Sequence, residues 1–190
     1  MLVMNKRMAD QLLCCMQDDV GEIRLVAADI LVNFAPKSLH HYCLDKMASL
    51  SSMLLRSVKQ QKAELGALFC SCMVNFHLKN ENNNLALQLM KEIIKQLEGS
   101  RESLERDLLK TARENSPFGK LRALSLMIGE TRKVKNFYAT AESVELVEAA
   151  SRIALSFITF FLDNMFSCKN HDGYVGSAVD RSDTTVLIKK

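Results

Sequence analysis

The chain has 190 residues, 48% of them hydrophobic and 25% charged, with a formal net charge of +3. That composition supplies enough apolar surface for one domain with a real core and excludes a disordered chain. The small positive charge permits an acidic or nucleic-acid partner without requiring one.

Two prolines, seven glycines, ten methionines and no tryptophan suit a chain built almost wholly of helix, where unbranched side chains lose little rotamer freedom. A short apolar start gives way at once to Asn5, Lys6 and Arg7, which does not read as a signal peptide. A first helix is predicted over about Asn5 to Gln17, with Met8, Leu12, Leu13 and Met16 in helical register. Asp18 and Asp19 break it. A second helix runs from about Val20 to Phe34, its stripe being Ile23, Ala27, Ile30, Leu31 and Phe34, and Ala35-Pro36 stops it. Ser38 offers an N-cap for a third helix to about Arg56, and Ser57 one for a fourth to about His77.

The polar run Lys79 to Asn84 reads as a loop. A fifth helix spans Leu85 to Glu98 and ends at Gly99, with Ser100 capping an inserted, more polar helix over about 101–115. Ser116-Pro117 then supplies a cap and a first-turn proline for a helix through Leu121, Leu124, Met127 and Ile128. "GETRKVKNFY", from Gly129, is a basic connector, and Thr140 opens a long apolar helix to about Phe166. No strand alternation occurs. The chain therefore divides into a helical segment, 1–166, and a degenerate C-terminal segment, 167–190. The longest uncharged apolar run, Ile153 to Leu162, is too short to cross a bilayer, so no membrane span is expected.

Three helix starts share a plan: "GEIRLVAADIL" from Gly21, "SVKQQKAELGALF" from Ser57 and "FGKLRALSLMI" from Phe118 each place an apolar-then-basic pair ahead of small and branched apolar residues. The pairs are Ile23-Arg24, Val58-Lys59 and Leu121-Arg122. This is the grammar of stacked helix pairs, and it predicts an all-α, HEAT/armadillo-like α-solenoid of three to four pairs, a right-handed stack, with an irregular helical bundle as the alternative. The repeat-defining positions are Asp19, Arg24, Pro36 and Pro117. Arg24 is expected to lay its stem along the apolar stripe and reach a carboxylate or carbonyl at the preceding turn. A stack without polar end caps is also expected to leave apolar patches at its ends, near Met1 to Met4 and Phe157 to Phe166.

The order of "DDVGEIRLVAADIL", "SVKQQKAELGALF" and "SPFGKLRALSLM" resembles the thyroid adenoma-associated protein (THADA) family. The first is similar to its Asp…Val-Arg-Leu-x-Ala…Leu-Leu unit and the second to a Ser-x-x-Arg-Gln-Gln stretch, with Lys59 in place of the arginine and Gln60 and Gln61 matching. The third is similar to a later segment that follows an inserted helix. The resemblance implies a non-catalytic solenoid subunit that partners a tRNA 2′-O-ribose methyltransferase, with this chain as part of a longer solenoid.

Candidate chemistry is sparse. His40, His41 and Cys43 lie within one turn but face apart, so no metal site is expected. The cysteines lack Cys-x-x-Cys spacing and read as reduced structural thiols, which points to the cytoplasm, with the nucleus as alternative. No phosphate-binding glycine loop, nucleophile elbow or metalloprotease motif occurs, so no cofactor and no enzymatic activity are expected. The basic residues Lys59, Lys62, Lys120, Arg122, Arg132, Lys133 and Lys135 would line one edge of a solenoid and form a tRNA-phosphate stripe, Phe137 and Tyr138 being the only aromatics beside them. A merely solvated face is the alternative for these positions, and a general protein-interaction adaptor the alternative for the whole chain.

Overall fold

The structure is a computed structural model that describes residues 4–57, 59–106, 117–135 and 137–171, with side chains not described at 105, 106 and 165–171. The predicted inserted helix beyond Arg106 and the segment 172–190 lie outside the described residues. Among the described residues the protein is all-α, with no strand.

Helix α1 spans Lys6–Cys15 and is capped by Asn5, whose Oδ1 accepts from the amide of Met8 at 3.0 Å. The turn after it is set by Asp18, which accepts from the amide of Val20 at 2.8 Å. Helix α2, Gly21–Phe34, carries Glu22 in its first turn, where the helix dipole favours a negative charge. It stops where expected: Pro36 cannot continue the hydrogen-bond ladder, and Ala35 before it is extended.

Helix α3, Lys37–Leu55, starts directly after Pro36, so Ser38 lies in its first turn rather than capping it. Helix α4 runs over Gln60–Lys79 with Lys59 in the cap position. Ser57 accepts from the amide of Lys59 at 3.2 Å and so shapes the turn two residues ahead of the helix.

Helix α5, Asn83–Arg106, corrects the predicted break at Gly99-Ser100, because the chain stays helical through both residues. A glycine inside a helix costs about 1 kcal/mol. Buried Leu97 and Leu104 on either side outweigh it, and the Ser100 hydroxyl turns back to the carbonyl of Gln96 at 2.8 Å. Helix α6, Phe118–Thr131, has Pro117 in the cap position, one residue earlier than the predicted first-turn placement. A 3₁₀ turn, Phe137–Ala139, leads to α7, Ala141–His171, capped by Thr140 through the amide of Ser143 at 3.3 Å.

Helix α4 is the hub. It packs on α3 along one side and on α6 along another, while α2 and α5 also lie against it. Twelve of its twenty residues are buried, so it has no polar face to speak of. Two glycines set how closely its neighbours approach. A Cβ on Gly66 would stand 2.8 Å from the backbone nitrogen of Leu55, and one on Gly119 would stand 2.7 Å from the carbonyl oxygen of Leu55.

Helices α2, α4 and α6 form a row running in one direction. Arg24 meets Glu64 near the starts of α2 and α4, whereas Lys79 reaches Val32 and Asn75 reaches Glu130 near the ends. The chain divides into two compact units, Met1–Leu155 and Ser156–Lys190, with the division inside α7. In the second unit the rings of Phe157 and Phe161 stack with centroids 6.3 Å apart. No helix among the described residues is long and apolar enough to cross a membrane.

Candidate functional site

The arginine predicted to serve the repeat does two jobs. Arg24 Nη1 donates to the carbonyls of Asp18 and Asp19, at 2.9 and 3.1 Å, closing the turn before α2. Its Nη2 donates to Glu64 Oε2 of α4 at 3.2 Å. The carbonyl bonds match the expected reach to the preceding turn, and the carboxylate comes from the next helix of the row.

Because Glu64 is partly exposed (40% for its side chain), the ion pair itself contributes little and the carbonyl bonds contribute more. Arg24→Ala is expected to cost about 1–2 kcal/mol. A double-mutant cycle with Glu64→Ala should show a coupling below about 1 kcal/mol. Coupling as large as the whole arginine effect would contradict this division of labour.

The predicted basic stripe does not form one edge. Lys59 and Lys62 are exposed at the start of α4, and Arg122 is exposed in the first turns of α6. Arg122 shares with Gln60, Glu64 and Phe118 the wall of a cavity of about 390 Å³. Arg132, Lys133 and Lys135 are exposed past the other end of α6. Ten helical residues separate Arg122 from Arg132, which is about 15 Å along the axis.

Lys120 leaves the set altogether. It is 2% exposed, and its Nζ donates to Ser100 Oγ at 3.0 Å. Burial, with a smaller push from the Arg56 charge, lowers its pKa to about 8. A side chain held there cannot reach a solvent-side phosphate. Of the aromatics beside the connector, Phe137 is buried, and Tyr138 is half-buried with its hydroxyl bonded to Thr131 Oγ1 at 2.6 Å.

A groove along α2, α4 and α6 was not visible in the sequence. It encloses about 450 Å³ over an apolar floor that includes Leu25, Leu68 and Leu126, and polar groups stand at the C-terminal ends of the three helices. Asn33 Nδ2 donates to Asp29 Oδ1 at 2.7 Å, and Lys79 Nζ donates to Asn33 Oδ1 at 3.0 Å. Across the groove Asn75 Nδ2 donates to Glu130 Oε2 at 2.6 Å, and Lys133 Nζ holds the same carboxylate at 2.8 and 3.0 Å. Burial lowers the pKa of Lys79. The three sets, on α2, on α4 and at the end of α6, lie more than forty positions apart in the chain, and each residue alone reads as an ordinary surface polar residue. The shared signal is their recurrence near the C-terminal ends of equivalent helices.

Cys72 lies on the groove wall, but burial raises its thiol to about 12, so the thiolate needed for attack does not form at neutral pH. His40, His41 and Cys43 do not converge. His40 is buried between the Ala35 carbonyl (3.0 Å) and Asn80, while His41 is exposed beside Asp45 at 3.8 Å. Cys43, Cys70 and Cys72 are buried free thiols, whereas Cys14 and Cys15 are exposed free thiols. Among the described residues no group of three or more His, Cys, Asp or Glu is placed to hold a metal ion. No family model, curated protein or solved structure matches the chain.

Proposed function

We propose that the chain is a non-catalytic helical-repeat scaffold, a HEAT/armadillo-like solenoid segment that binds a protein partner. One observation carries the reading: α2, α4 and α6 stack in a row with like direction, and their common face is an open groove with polar groups repeated at corresponding ends. Stacked units that bury one side against a neighbour and leave another concave are suited to binding an extended surface.

The partner rests on the resemblance to the THADA family and is a tRNA 2′-O-ribose methyltransferase acting in a cytoplasmic or nuclear setting. The test is copurification. Retention of a ribose methyltransferase on the tagged chain supports this partner, and retention of transport or phosphatase components in its place favours the general adaptor.

In this reading tRNA is touched at the far end of α6 by Arg132 and Lys135, since Lys133 is already paired with Glu130. Reversing Arg132 and Lys135 together to glutamate should weaken tRNA binding alike for all sequences. It should also reduce the log–log salt slope by roughly two, close to one for each phosphate no longer neutralised. Unchanged binding would remove RNA from the function and leave a protein scaffold alone.

A further inference from the structure

The apolar stripe read from the sequence of α2 is real, but most of it faces away from the core. Helix α2 buries Ala27, Ala28, Leu31 and Val32. Ile23, Ile30 and Phe34, at the centre of the predicted stripe, are 43, 37 and 69% exposed, and Val26 beside them is 59% exposed. With Leu12 and Cys15 of α1, the residues Ile23, Val26 and Ile30 wall a shallow depression of about 310 Å³. No other element covers this side among the described residues. A continuous apolar stripe running the length of a solvent-facing helix marks an interaction surface rather than a scatter of single exposed residues.

We propose that this face of α2 is where a second copy of the chain docks, the two α2 helices crossing antiparallel about a two-fold axis through the middle of the stripe. The two ends of the stripe select this occupant. Glu22 is exposed at the start of α2, and Lys37 is exposed just past its end. An antiparallel partner brings each Glu22 toward Lys37 of the other copy and sets the positive end of one helix dipole beside the negative end of the other.

The same axis sets Ile30 of one copy against Val26 of the other and Phe34 against Ile23, so exposed apolar side chains meet exposed apolar side chains along the stripe. A two-fold interface of this kind uses one patch twice, so a single stripe suffices. The footprint is one helix wide and about 21 Å long, which puts it at the small end of specific interfaces. The dimer is therefore weak and concentration-dependent.

Sedimentation velocity over a concentration series, under reducing conditions so that Cys14 and Cys15 cannot cross-link, tests the proposal. The expected result is a reversible monomer–dimer equilibrium. Ile30→Glu and Phe34→Glu should each weaken the dimer by roughly tenfold or more, the size of a central hot-spot loss. Circular dichroism should stay unchanged, because both side chains already face solvent in the monomer. Glu22→Lys and Lys37→Glu should each weaken the dimer, and the double variant should recover it. A monomer at every concentration, a dimer indifferent to Ile30→Glu, an open-ended series of higher oligomers, or a double variant that fails to recover would each overturn the proposal.

Discussion

Raising the pH above 9 is expected to destabilise the protein steeply, because three buried thiols then have to stay protonated for it to remain folded. Burial raises Cys43 to about 11 and Cys70 and Cys72 to about 12, from an ordinary value of 9.0. The Asp10 charge adds to the effect at Cys43, and Glu130 adds to it at Cys72. The folded chain keeps protons that the unfolded chain releases. The stabilisation is thus complete below pH 9 and is lost as pH climbs toward the folded values. Each thiol contributes about 1.4 kcal/mol per pH unit in that window.

Lys120 acts in the opposite direction. Its folded value of about 8 lies below the ordinary 10.5, so the unfolded chain binds more protons over that interval and stability rises with pH there. It offsets roughly one thiol, which leaves a net loss of about 3 kcal/mol per pH unit above pH 9. Urea unfolding at a series of pH values measures this directly. Cys72→Ala should lower stability at neutral pH and flatten the net alkaline slope by about half, since one thiol's share is removed from a slope that Lys120 has already reduced to roughly two thiols' worth. A slope that stays flat between pH 9 and the lysine's unfolded value would show that the thiols are not shielded from water.

The sequence disclosed helix identity better than helix facing. Pro36 acts as punctuation whatever the tertiary context, since a missing amide is a local effect. Gly99-Ser100 misled for the opposite reason: its local weakness is overridden by Leu97 and Leu104, buried on either side of it. In α2 the periodicity was correct and the facing was shifted. Ala27 and Leu31 of the predicted stripe are buried together with Ala28 and Val32, whereas Ile23, Ile30 and Phe34 are left exposed.

Lys120 and Arg122 look alike in sequence, yet two positions on a helix differ by about 200°, so one is buried against Ser100 and the other points outward. The groove was the least legible feature. It depends on which helices are neighbours in the row α2–α4–α6, and no residue within any one helix records that.

Phe76→Ala is expected to be among the most damaging single substitutions, at about 4–5 kcal/mol, the upper part of the range for a buried phenylalanine. Phe76 is 0% exposed on the hub helix. Its ring lies 4.6 Å from that of His40 on α3, and His40 is itself fixed by the Ala35 carbonyl and Asn80. The size of the cost depends on whether the cavity can close, and here it cannot do so easily. Gly66 already has the α4 backbone against Leu54 and Leu55, and Gly119 has α6 against the same stretch of α3. Neither approach leaves room for the helices to slide inward. The void therefore persists, and the atoms lining it forfeit the dispersion attraction of the phenyl ring outright. Phe118→Ala is the matched control: that ring is 61% exposed at the start of α6, so its removal should change stability by no more than about 0.5 kcal/mol. Chemical unfolding of both variants at neutral pH decides the matter. Equal costs for the two, or a loss below about 2 kcal/mol at Phe76, would mean that α4 is not clamped as its close glycine approaches indicate.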